Sequence, residues 1–141
     1  MNDAIELTGH CLCGAVRVQA RGPAEFGACH CSMCRKWTGG PLLAVHCGTE
    51  VRFQGDESVT SYASSEWAER GFCRHCGTHL FYRLKLDGQY VLPLGLLDPG
   101  PEWSFAEQIF IEEKPACYEF ANQTRRMTGA EVFAAFAPPN D

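Results

Sequence analysis

Seven of this chain's nine cysteines fall in three tight clusters: Cys11-Leu12-Cys13, Cys29-His30-Cys31-Ser32-Met33-Cys34 and Cys73-Arg74-His75-Cys76. Thiolates one or two residues apart are chelating units, and zinc is the ion that such spacings hold. One intervening residue in an extended strand sets both sulfurs on the same face, because strand side chains alternate. Two intervening residues suit a tight turn that bends both sulfurs around one ion. The spacing therefore predicts strands through Cys11-Cys13 and Cys29-Cys31, and a knuckle at Cys73-Cys76.

Four thiolates close a zinc site, whereas three leave a coordination position for water or substrate. Pairing Cys11 and Cys13 with Cys73 and Cys76 makes a closed site and leaves Cys29, Cys31 and Cys34 as an open one; other pairings of the seven stay open at this point. Both centres carry excess negative charge, and Arg70, Arg74, His75, Arg35 and Lys36 lie next to them in sequence. Gly14 and Gly77 follow two of the clusters and let the chain turn with its N–H groups toward sulfur. His30 alternates away from its cysteine neighbours and reads as a non-ligand. His10, His46 and His79 read as ordinary strand residues, and Cys47 and Cys117 as core thiols. Trp67 and Trp103 are assigned to the core. Trp37 is assigned there too, although it is close enough to Cys34 to line a pocket. Arg35 and Lys36 are either solvated charges or the grip on a substrate carboxylate, a task that the planar fork of arginine suits.

With 141 residues, 45% of them hydrophobic, the chain is expected to form a single domain over 1–141. Twelve Lys and Arg against 17 Asp and Glu give a net charge of −5. That balance lacks the basic stripe of a nucleic-acid binder. No apolar run reaches the roughly 18 residues of a membrane span, and the acidic start is unlike an export signal. The expected location is the cytoplasm, where a reducing environment favours metal-bound thiolates over disulfides.

The rest of the pattern is short strands and turns. Residues 14–21 alternate apolar and polar, and further strands are expected at 5–11, 26–31, 42–47, 51–54, 59–63, 67–73, 79–86, 90–97 and 106–111. Asp87-Gly88 predicts a two-residue hairpin turn. The one expected helix is C-terminal: Thr128 and Glu131 form a capping box ahead of residues 132–136, and Pro138-Pro139 ends it.

Taken together, Gly9-His10-Cys11-Leu12-Cys13-Gly14-Ala15-Val16, Cys29-His30-Cys31-Ser32-Met33-Cys34-Arg35, Arg70-Gly71-Phe72-Cys73-Arg74-His75-Cys76-Gly77 and Gly95-Leu96-Leu97-Asp98 resemble the glutathione-dependent formaldehyde-activating enzyme family, which includes centromere protein V relatives. The resemblance runs from about residue 6 to about residue 120, leaving 121–141 as an extension. It implies an all-β, Mss4-like β-tent of short antiparallel strands, with two zinc ions. Cys11, Cys13, Cys73 and Cys76 would hold the structural ion and Cys29, Cys31 and Cys34 the catalytic one. It also implies carbon–sulfur lyase chemistry joining formaldehyde and glutathione into S-(hydroxymethyl)glutathione. Two departures bear on substrate: members often carry a histidine within the segment matching Glu107-Gln108-Ile109-Phe110, and a tryptophan at the position of Cys117.

Three readings follow. In the first, an enzyme binds a small thiol such as glutathione at the open zinc and presents it to an aldehyde, with Arg35, Lys36 and Trp37 around the substrate. In the second, both ions are structural and the chain is a noncatalytic zinc-stabilised β binding module. In the third, Cys31 and Cys34 form a thiol redox pair, a reading that leaves the other clustered cysteines unexplained.

Overall fold

A computed structural model of the chain describes residues 4–136. The strands run β1 (Ile5–His10), β2 (Arg17–Gly22), β3 (Glu25–Cys29), β4 (Leu42–Gly48), β5 (Val51–Gln54), β6 (Val59–Tyr62), β7 (Ala68–Cys73), β8 (His79–Leu84), β9 (Tyr90–Pro93), β10 (Ser104–Ile109) and β11 (Arg125–Met127). Two α-helices join them, α1 (Ser32–Thr38) and α2 (Gly129–Phe136). The fold is thus mixed and β-rich, with a helix, absent from the all-β expectation, that begins within the second cysteine cluster and carries Cys34. Pro138 and Pro139 lie outside the described residues.

The chain divides into two compact units, residues 4–25 with 44–104 and residues 26–43 with 105–136. In the first unit, β1, β2 and β5 form an antiparallel sheet in the order β1-β2-β5. Its alternation follows the sequence: Leu7, Val18 and Ala20 are buried while Glu6, Thr8, Arg17, Gln19 and Arg21 are exposed. A second antiparallel series runs β4-β9-β8-β7-β6. Leu80, Leu92 and Val45 are fully buried on it, and the rings of Phe53, Phe81 and Tyr90 meet at 5.2–5.9 Å. Gly71 faces Phe81 across the β7/β8 ladder, where a Cβ would lie 2.1 Å from the ring.

Four strand expectations change, the first being that β3 ends at Cys29 and leaves Cys31 outside the strand, at the start of a helix. The segment before β2 is a turn, not strand: the Cys11 N–H donates to Val16 O, the Gly14 N–H donates to Cys11 O, and Gly14 has φ 80°. That turn, rather than an extended strand, brings Cys11 and Cys13 together. The Asp87-Gly88 hairpin is wider than two residues, because β8 ends at Leu84 and β9 begins at Tyr90. Within it Leu84 N–H bonds Gln89 O, and Asp87 caps the Gln89 N–H. Residues 94–96 leave the β9 line as a 3₁₀ turn. This turn lets Leu97 bridge to Gly9 and Asp98 bond Thr8, both through its N–H and through its carboxylate. A Cβ on Gly9 would sit 2.2 Å from Leu96 O, so this close approach requires glycine.

In the second unit the strand order is β11-β10-β3, with β10 and β11 parallel. That parallel pair corrects the expectation of antiparallel strands alone. Phe26 stacks on Phe105 at 4.8 Å, and Phe120 meets Phe105 edge-on. The capping box of α2 is formed: the Thr128 hydroxyl accepts from Glu131 N–H at 3.1 Å, and the Glu131 carboxylate accepts from Thr128 N–H at 2.8 Å. Phe110, at φ 53°, packs edge-on against Phe133, and the Glu112 carboxylate takes the Gly129 N–H.

Candidate metal centres

The first centre lies wholly in the first unit, where the Sγ atoms of Cys11, Cys13, Cys73 and Cys76 are within 4.8 Å of one another. Cys11 and Cys13 come from the turn after β1; Cys73 ends β7 and Cys76 precedes β8. Gly77, at φ 76°, closes the knuckle by donating its N–H to Cys73 O. The Cys11–Cys13 and Cys13–Cys73 sulfurs stand 3.6 and 3.8 Å apart. Zinc–sulfur bonds of about 2.3 Å in a tetrahedron require sulfur–sulfur edges of about 3.8 Å. The donor set therefore fits a four-coordinate ion.

Two hydrogen-bond donors lie against these sulfurs. The Val16 N–H lies 3.3 Å from Cys11 Sγ and the Thr78 hydroxyl 3.2 Å from Cys76 Sγ. Thr78 is the main cause of the depressed Cys76 thiol, which it holds down to about 5. Thr78 also accepts the Leu12 N–H at 3.0 Å and so ties the two chelating turns together. Arg70 is buried, with its Nε on Ser64 and its guanidinium over the Tyr82 ring, and His75 reaches Ser58.

The second centre lies wholly in the second unit, where the Sγ atoms of Cys29, Cys31 and Cys34 are within 4.8 Å of one another. Cys29 closes β3, while Cys31 is the N-cap of α1 and accepts the Cys34 N–H on sulfur at 3.4 Å. A cap of this kind satisfies one of the orphan donors at the helix start. One more is taken by the Glu113 carboxylate, from Ser32 N–H at 2.9 Å, while Arg35 N–H to Cys31 O is the first regular bond of the helix. Gly39, at φ 87°, ends the helix by donating to Arg35 O. The thiols of Cys29 and Cys34 hold Cys31 down to about 2, while sharing protons with both neighbours pushes Cys29 up. The two neighbouring thiols thus favour a thiolate on Cys31 over one on Cys29.

Among the described residues, the groups of three or more His, Cys, Asp or Glu side chains that converge are these two. His30 is buried completely between Cys29 and Cys31, and both ring nitrogens bond elsewhere, to Tyr118 and Gln108 at 2.8 Å each. Arg35 turns its Nε to His30 O at 2.9 Å, Lys36 is exposed and Trp37 is half-buried. Cys47 is a buried thiol, pushed up to about 12 by burial. Cys117 is exposed, and Trp67 is half exposed; both had been expected in the core. Thr78, Gln108, Glu113 and Tyr118 carry no metal-ligand signature in sequence. Gln108 falls within the segment Glu107-Gln108-Ile109-Phe110, where the resembled family often has a histidine, but nothing in the sequence singles it out from its neighbours there.

One cluster of four thiols and another of three, borne on a β-rich scaffold, define a class of protein with two potential thiolate metal centres. Within that class, the chain belongs to the glutathione-dependent formaldehyde-activating enzyme family, whose model matches residues 6–113. An "uncharacterized lyase" of Schizosaccharomyces pombe is 37% identical over 130 residues, spanning 90% of this chain and 94% of that protein. A candidate glutathione-dependent formaldehyde-activating enzyme of Halomonas elongata is 34% identical over 85 residues, or 53% of this chain and 54% of that protein. A crystal structure of a Rhodobacter sphaeroides protein shares the fold, with a TM-score of 0.58 at 24% identity over 70% of this chain and 99% of that one.

Proposed function

We propose that the chain is a zinc-dependent carbon–sulfur lyase-type enzyme acting on the adduct of an aldehyde with glutathione or another small thiol, with S-(hydroxymethyl)glutathione as the reference substrate. The observation that carries this reading is the unequal donor count: four sulfurs converge in one cluster and three in the other. Cys11, Cys13, Cys73 and Cys76 would hold a structural ion, and Cys29, Cys31 and Cys34 a catalytic one. A zinc ion with an open position supplies Lewis acidity and stabilises a bound thiolate near neutral pH.

In the lyase direction the carbon–sulfur bond breaks and its electron pair leaves with sulfur. The hydroxyl loses its proton, and its oxygen forms the carbonyl; sulfur takes up a proton when the free thiol departs. In the synthase direction each step reverses. Arg35 and Lys36 are assigned to a carboxylate of the thiol and Trp37 to the exclusion of water. The position of Arg35 supports its part, since the Nε anchor on His30 O orients its guanidinium from the helix that carries Cys34.

The family match and the "lyase" designation of the yeast relative support enzymatic chemistry of this kind. Among the described residues no helix is long and apolar enough to cross a membrane. The cytoplasm remains the proposed location, since a reducing environment favours metal-bound thiolates over disulfides.

The test pairs elemental analysis with an assay on glutathione adducts of small aldehydes. The reading predicts two zinc ions per chain and thiol-dependent turnover. Cys31→Ser should remove one ion and lower turnover beyond the 10–100-fold typical of changes around a metal rather than at it. Unchanged turnover in Cys31→Ser overturns the mechanism. Two tightly held ions with no turnover of any adduct, and no change in the cobalt spectrum when glutathione is added, would favour the noncatalytic module.

A further inference from the structure

Residue 30 lies between two of the three sulfur donors, and every polar atom it has is fixed by another part of the second unit. The side chain of His30 is fully buried, and so is that of Gln108. Gln108 Oε1 can only accept, so at 2.8 Å it takes the proton of His30 Nε2; in the neutral imidazole Nδ1 then accepts from Tyr118 O–H at 2.8 Å, and Gln108 Nε2–H donates to Thr124 Oγ1 at 3.1 Å. On the main chain, the His30 N–H donates to Ile109 O at 3.1 Å and its carbonyl accepts from Arg35 Nε at 2.9 Å. Tyr118 and Phe120 lie against the imidazole at 5.6 and 6.1 Å between ring centroids. Tyr118 is itself held by Lys114, whose ammonium lies 5.0 Å over the ring and also donates to the Tyr118 carbonyl.

A buried polar chain of this length is an expensive way to fill space, because each group must be answered once water is gone. Among the described residues no buried side-chain nitrogen or oxygen is left without a partner, so the chain is fully answered. Its product is orientation. A ring clamped at both nitrogens fixes the Cα of residue 30, and with it the peptide planes that lead to Cys29 on one side and Cys31 on the other. Those two sulfurs converge from different elements, a strand end and a helix cap, so no regular element sets their separation. Partners beyond the ligands commonly set the direction of metal-binding side chains.

We infer that Gln108 and Tyr118 are positioning residues for the three-thiol metal site: by clamping His30 they hold the backbone between Cys29 and Cys31 in the arrangement that gathers the three sulfurs. This rests on the reading above that the three-thiol cluster takes an ion. Neither residue touches the ion or the substrate in this scheme.

The experiment uses cadmium as the probe on the full chain, with competition against a chelator for affinity and cadmium NMR to observe each site. Wild type should show two resonances, one for four sulfurs and one for three. Gln108→Leu removes the acceptor of the His30 N–H, and Tyr118→Phe removes one hydroxyl while keeping the ring. Each should weaken the three-thiol site about tenfold to 100-fold and move its resonance. The four-thiol resonance and its affinity should stay as in wild type, which a general loss of structure would not allow. Should Gln108→Leu fail to fold, Tyr118→Phe decides. Unchanged affinity and an unmoved resonance overturn the inference, as does loss of both sites together. A wild type that takes up a single ion overturns the metal reading and this inference with it.

Discussion

At the scale of single residues, two glycines that look alike in sequence differ in what surrounds them. Alanine at Gly9 would meet the backbone oxygen of Leu96 at 2.2 Å, whereas alanine at Gly71 would meet the tip of the Phe81 ring at 2.1 Å. The ring, although buried against Phe53 and Tyr90, is the more yielding of the two, because a main chain held in a bridge cannot move aside. Gly9→Ala should therefore cost about 3 kcal/mol and Gly71→Ala about 1 kcal/mol, the range seen for overfilled sites. Urea midpoints for the two variants check the order, and a larger loss in Gly71→Ala contradicts it. The two unclustered cysteines differ in the same manner. Cys47 is buried, with its thiol pushed up to about 12, and stays protonated and shielded at neutral pH; Cys117 is exposed. In metal-loaded protein iodoacetamide should label Cys117 first, as followed by peptide mass spectrometry over time. Early labelling of Cys47 would show that its burial is transient.

At the scale of elements, a cap decides whether a short helix holds. Thr128→Ala removes the acceptor of the Glu131 N–H and should cost about 1 kcal/mol, read as a shifted denaturation midpoint without a change in slope. That capping box was legible because its two residues are three apart and each side chain answers the other's N–H. The strands were legible for a related reason: Val18 and Ala20 alternate with polar residues, and one buried face imposes the period. What could not be read depended on distant partners. α1 is only seven residues long, too short for Met33, Cys34 and Trp37 to announce a helix by their spacing. It begins because Cys31 caps it with a sulfur and Glu113, far along the chain, takes the Ser32 N–H. The turn at Cys11-Cys13 escaped notice because alternation cannot distinguish two sulfurs on one strand face from two sulfurs in a bend. β11 is three residues long and pairs in parallel, a geometry without a local turn to announce it. The cysteine clusters themselves were legible, since chelation works over one or two residues, but their outer partners Thr78, Gln108 and Tyr118 were not.

At the scale of the whole molecule, metal would contribute more than any side chain named so far. In zinc-finger peptides a structural zinc ion is worth on the order of 10 kcal/mol. Even about 3 kcal/mol lost would lower the melting temperature of a chain this size by roughly 10 °C. Treatment with a strong chelator should produce a drop at least that large, and Cys76→Ser should reproduce most of it. Acidification acts in the same direction, because protonated thiols release the ion. An unchanged melting curve after metal has been removed, verified by elemental analysis, would deny the four-thiol cluster a structural role. The parallel pairing of β11 with β10 bears on how the gene is cut for study. The family match stops at residue 113, yet Arg125, Arg126 and Met127 cover one edge of β10, and Thr124 answers Gln108. A fragment trimmed at the family boundary would expose a raw row of amide and carbonyl groups, inviting copies to stack strand on strand, and its inactivity would say nothing about the intact chain.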